Sequence, residues 1–83
     1  TIEKSDDITF QVSANNDITL DGRRVDIRSV RANVERLRAS NRDAKVIIST
    51  DSRARTDTYI RIADQARAAG VMDVILVPTT LAL

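Results

Sequence analysis

The sequence predicts an α+β fold: a two-layer ββαβαβ chain with a mixed four-stranded sheet and two helices on one face. Residues 8 to 13 alternate strictly between apolar and polar, the mark of a strand buried on one side. Two short runs, Val46-Ile47-Ile48 and Val74-Ile75-Leu76-Val77, are apolar at every position, as strands of a parallel pair are. Before and between those runs, apolar residues recur at spacings of three and four, the period of a helix seated on a sheet.

The 83 residues are 42% hydrophobic and 30% charged, proportions of a chain that folds as one small domain. At this size folding hides only about 60 to 65% of the chain's surface, so the core is modest and self-association would help it. Residues 1–7 read as a flexible leader or linker, 8–80 as the domain and 81–83 as a tail. The chain's last five residues, TTLAL at 79–83, carry two leucines that a soluble monomer would not ordinarily leave dangling. Because the chain opens at Thr1 and not at a methionine, a longer product is expected, and what preceded Thr1 bears on its localisation.

In order along the chain, Ile8, Phe10 and Val12 share the buried face of the first strand. Asn15, Asn16 and Asp17 tolerate left-handed backbone and suit a hairpin turn. A second strand runs through Ile18 and Leu20 and ends at the turn signal Asp21-Gly22. Asp26 is placed to cap a helix reaching about Ser40. Ile27, Val30, Val34 and Leu37 form its buried stripe, and Arg28, Arg31, Arg38 and Arg42 form a second stripe around Glu35. That basic stripe is either a solvated face, with Glu35 paired to Arg31 or Arg38, or a ridge for an anionic partner.

Lys45 to Asp51 reads as a central strand closed by Asp51. Thr56 or Asp57 should cap the second helix, whose apolar face is Tyr59, Ile62, Ala63, Ala66 and Ala69. Gly70 ends it in left-handed conformation. The last strand is Val74 to Val77, and Pro78 is expected to stop its ladder. With both helices on one face, the two all-apolar strands still present hydrophobic side chains to the other. The last strand, at the sheet edge, is then a place for another chain to pair.

Composition excludes much catalytic chemistry. There is no histidine and no cysteine, which removes the usual proton shuttle, the commonest zinc ligands and thiolate nucleophiles. No glycine-rich phosphate loop, metal-ligand spacing or nucleophile elbow occurs, and no cofactor is expected. Net charge is +1, with one Phe and one Tyr, so neither a strong field nor a stacking platform for nucleic acid is present. The candidate residues are Val74, Ile75, Leu76, Val77 and Pro78 for a dimer or added-strand contact. Asp51, Arg53 and Arg55 line the loop after the central strand as secondary candidates. A nucleic-acid module using the arginine ridge is the alternative, and an enzyme subunit using Asp51 a third reading.

The segments ITLDGRRVD at 18–26, VRANVERLRAS at 30–40, VIISTD at 46–51, ARAAGV at 66–71 and VILVPT at 74–79 together resemble the periplasmic domain of the ExbD/TolR family. Order and spacing agree over nearly all of the chain after Asp7. Many members carry Tyr where this chain has Thr56, with Tyr59 supplying an aromatic one turn later, and Ser49-Thr50-Asp51 replaces a small-Ala-Asp ending. The resemblance implies an accessory subunit of a proton-motive-force-driven inner-membrane motor, of the TonB-ExbB-ExbD or Tol-Pal type. It implies a periplasmic location, a transmembrane helix with a proton-conducting aspartate before Thr1, and no enzymatic activity here. It also implies a homodimer, a TonB- or TolA-like partner, an ExbB- or TolQ-like membrane subunit and, in the TolR branch, peptidoglycan.

Overall fold

A computed structural model describes residues 7–79. The expected leader, apart from Asp7, and the tail at 81–83 lie outside the described residues. Asp7 itself is docked: its carboxylate accepts from the Lys45 amide at 3.1 Å.

The elements run β1 (Ile8–Val12), β2 (Ile18–Leu20), β3 (Arg23–Val25), a 3-10 turn (Ile27–Ser29), α1 (Val30–Ser40), β4 (Val46–Asp51), α2 (Thr56–Ala68) and β5 (Val74–Thr79). The mixed sheet has five strands in the order β3-β2-β1-β4-β5. The count corrects the expected four. Asp21 and Gly22 have φ of 54° and 81°, the paired positive values of a type I′ turn, which returns the chain directly into a third antiparallel strand. Arg23-Arg24-Val25 lacks the apolar alternation of a strand because it is an edge, half exposed to water.

β1 occupies the middle of the sheet and pairs in parallel with β4, Ile8 opposite Val46 through Val12 opposite Thr50. β4 pairs in parallel with β5, Val46 opposite Val74 through Asp51 opposite Thr79. Both parallel connections pass through a helix, as short loops cannot join parallel neighbours. The two helices and the inward-facing strand residues make one core, in which Phe10, Ile48, Ile62, Val30, Val34 and Val46 are fully buried. Each such side chain contributes about 1.5–3 kcal/mol of transfer free energy.

The helical stripes fall as their spacing predicts. Val30 and Val34 are buried, Ile27 and Leu37 pack beside them, and Ile62 and Ala66 of α2 are flanked by Tyr59, Ala63 and Ala69. Asp26 caps the 3-10 turn by accepting from the Arg28 amide at 2.8 Å. α2 ends at Gly70, φ +102°, where the Gly70 amide donates to Arg67 O and the Val71 amide to Ala66 O. This is the paired bonding of a Schellman motif, with Val71 and Ala66 both in the core.

The start of α2 differs from expectation. Neither Thr56 nor Asp57 caps it; Arg55 holds the cap position without a side-chain cap bond. Instead Asn16, in the turn between β1 and β2, accepts from the Arg55 amide at 2.7 Å and from the Thr58 hydroxyl at 3.3 Å. Gln65 makes a second long-range tie, within the helical layer, accepting from the Arg31 amide and donating to Ile27 O.

Candidate functional site: the free edge of the sheet

β5 is the outer strand, with no neighbour beyond it among the described residues. Its hydrogen-bonding direction follows from one bond and the register. The Val46 amide donates to Asp73 O at 3.0 Å while Val46 stands opposite Val74. In a parallel ladder the odd-numbered residues of β5 therefore turn their N–H and C=O towards β4, and Val74, Leu76 and Pro78 turn theirs outward.

That polarity corrects the expectation that Pro78 stops the ladder. The strand continues through Pro78, opposite Thr50, to Thr79. Proline is tolerated because its missing N–H falls on the solvent side, where no ladder bond is lost. The free edge thus offers complete donor and acceptor pairs at Val74 and Leu76 and a carbonyl alone at Pro78.

Side chains around this edge are apolar and exposed. Ile75, Leu76 and Val77 are 43%, 44% and 42% exposed, far above their expected burial in a sheet covered on both sides. Register places Ile75 and Val77 beside Ile47 and Ser49 on the face opposite the helices, and Leu76 beside Ile48 on the helix face. β4 alternates buried and half-buried residues, so its two-faced apolarity is satisfied on the helix side only. Across the rest of the open face stand Thr9, Gln11 and Thr19, polar on every strand. The apolar area is confined to the β4–β5 margin.

The secondary candidates separate. Asp51 accepts from the Arg53 amide at 2.8 Å and from its guanidinium at 3.1 and 3.2 Å. The Arg53 guanidinium hydrogen bonds, then its amide, hold the Asp51 carboxyl below the ordinary carboxylate value. Both groups line a shallow cleft on the open face with Gln11, Thr19 and Arg24. Arg55 goes elsewhere, pairing with Asp57 at 3.2 Å and lining a second cleft with Arg24, Arg61 and Thr58. The Asp17–Arg24 ion pair, 2.8 Å, borders both clefts. Asp51 and Arg53 order a turn, in an arrangement matched by Asp26 and Arg28 at the first helix.

The arginine ridge is divided. Arg28 pairs with Asp26 and Arg31 with Glu35 at 3.1 Å, while Arg38 lies against Gly70. Among the described residues no cluster could hold a metal ion and no helix is long and apolar enough to cross a membrane.

Three contributors to these surfaces are absent from the sequence reading, and only the first has a local signal. β3 could have been found from the Asp-Gly pair, which specifies a two-residue hairpin between strands. The outward turn of Pro78 needs the register of β4 and β5. Asn16 acts on a helix 39 residues further on, and no local signal marks that.

Comparison with known proteins gives a consistent picture. A family model described as biopolymer transport protein ExbD/TolR matches residues 1–80. The chain is 35% identical over 74 residues to biopolymer transport protein exbD2 of Vibrio cholerae serotype O1. That alignment covers 89% of this chain and 55% of the relative, so the chain spans about half the length of the curated protein it matches.

Proposed function

Since the chain belongs to the ExbD/TolR family of biopolymer transport proteins, we propose that it is the periplasmic interaction module of a proton-motive-force-driven inner-membrane motor. Its family consists of components of transport systems, not enzymes. In the proposed role the module dimerises and meets a TonB- or TolA-like protein, while an ExbB- or TolQ-like subunit works in the membrane. Family membership, the near-neutral charge and the divided arginine ridge favour this role over nucleic-acid binding.

The observation that carries the proposal is the β5 edge. Val74, Leu76 and Pro78 have outward backbone groups unpaired among the described residues, and Ile75, Leu76 and Val77 add exposed apolar side chains on both faces. Such an edge is stabilised by an added strand, which satisfies the backbone and covers the side chains together. Asp51 and Arg53 order the turn after β4 and Arg55 lines a separate cleft, so the proposed contact is left to β5 itself.

Sedimentation equilibrium over a micromolar to millimolar series, combined with amide exchange, tests this. A concentration-dependent shift to dimer is expected, with slowed exchange at the outward Val74 and Leu76 amides. A monomer at every concentration whose Val74 and Leu76 amides exchange freely, even with a TonB-like partner segment present, would overturn the reading.

A further inference from the structure

We infer that the β5 edge accepts a second copy of itself in one antiparallel register, with Ile75 opposite Ile75 of the second copy, and that Pro78 selects it. The inference rests on the proposed dimer and goes beyond it by naming the pairing. Its grounds are the ladder polarity, the position of the proline and the distribution of apolar side chains.

In a two-fold antiparallel pair, residues with outward N–H and C=O must face each other to exchange both bonds. On β5 those are Val74 and Leu76. With Ile75 on the axis, Val74 faces Leu76 of the second copy and Leu76 faces its Val74. All four outward donors and all four outward acceptors of these residues are then used. Pro78 falls opposite Met72 of the second copy, beyond the β5 strand, where its missing N–H orphans nothing in the ladder.

Neighbouring registers fare worse. Shifting the pairing towards the C-terminal end puts Leu76 on the axis and sets Val74 against Pro78. The Val74 carbonyl then meets a pyrrolidine ring in place of a donor, once for each copy. That register would align Ile75 with Val77, but an orphaned carbonyl outweighs an apolar cross-strand pair. Shifting the other way puts Val74 on the axis, sets Leu76 against Met72 outside the strand and places Ile75 against the charged Asp73.

The selected register also joins what each copy leaves open. Ile47 stands beside Ile75 on the open face, so the two copies align Ile47, Ile75, Ile75 and Ile47 as one apolar band across a continuous sheet. On the helix face Val74, half-buried, comes against the exposed Leu76. A strand with an unbroken apolar run fits a neighbour apolar on both faces, and β5 carries such a run from Val74 to Pro78.

Because the chain has no cysteine, single cysteines report the register. Facing residues of a non-hydrogen-bonded pair have Cα atoms about 4.5 Å apart, within disulfide reach. In the selected register the two copies of residue 76 are about 9 Å apart and those of residue 77 at least about 13 Å, both out of reach. Under mild oxidation Ile75→Cys should give a disulfide-linked dimer, while Leu76→Cys and Val77→Cys remain at least tenfold less linked. Pro78→Ala placed behind Leu76→Cys should raise its linkage several-fold, since the shifted register gains its missing donor. Linkage of Leu76→Cys in preference to Ile75→Cys with Pro78 intact would overturn the register and leave the dimer standing. A wild-type dimer by sedimentation with no linkage at any of the three positions would also overturn it. A wild-type monomer throughout, with no linkage, would overturn register and dimer together.

Discussion

Replacing Asn16 should loosen the start of α2 although the substitution lies in another layer of the fold. Asn16 does two things at once. Its φ of 67° is a left-handed conformation that costs an ordinary L-residue about 1–2 kcal/mol. Its side-chain oxygen also accepts from the Arg55 amide and the Thr58 hydroxyl, standing in for a helix cap whose loss typically costs about 1 kcal/mol. Asn16→Ala removes the acceptor and keeps a Cβ in the left-handed region, so about 2 kcal/mol should be lost. Asn16→Gly removes the acceptor but relieves the backbone, and should lose about 1 kcal/mol or less. Asn16→Asp keeps an acceptor and tolerates the conformation, and should stay within about 0.5 kcal/mol of the parent. Urea unfolding at constant m-value measures all three, and in a domain of this size 2 kcal/mol corresponds to a fall in Tm of about 8–16 °C. Equal losses for Asn16→Ala and Asn16→Asp would refute the capping role. Equal losses for Asn16→Ala and Asn16→Gly would refute the backbone part.

Gly70→Ala should destabilise by about 1–2 kcal/mol, because φ of +102° strains any Cβ. The added methyl would meet the Arg38 guanidinium at 3.0 Å, the far end of a flexible side chain, so Arg38→Ala should recover little of the loss in a double-mutant thermal melt. Asp51→Asn should change the acid limb of the stability curve. The Asp51 carboxyl has its pKa lowered by Arg53, so its contribution is present above the unfolded-state value and is lost as pH falls through the lower folded-state value. The variant's stability should therefore vary less over that acid window and match the parent's shape above it, as read by urea midpoints at a series of pH values. A parent and variant with parallel acid limbs would contradict the Asp51–Arg53 contact.

Much of the fold is legible because it rests on short-range periodicity. Alternation at Ile8, Phe10 and Val12 sets one face of β1; three-and-four spacing sets the buried stripes of α1 and α2; Gly70 ends α2 for a local conformational reason. The candidate edge was legible in the same way, since Val74 to Val77 are apolar on both faces and two helices cover only one. β3 was harder to read, because an edge strand of two arginines and a valine has little to bury and so writes little pattern.

What the sequence by itself determined was the succession of elements apart from β3, the faces they bury and the presence of a strand with one hydrophobic side too many. The tertiary structure alone decided what those features mean at particular residues. Pro78 is compatible with β5 only because the parallel register with β4 turns its nitrogen outward. Asn16 becomes a helix cap only when the β1–β2 turn is brought against the start of α2. Local pattern follows from the side chain and its immediate neighbours along the chain, whereas the direction of a strand's free hydrogen-bonding groups is fixed by the strand beside it. The edge that the sequence marks as apolar thereby has, among the described residues, two positions with both backbone groups turned outward, Val74 and Leu76.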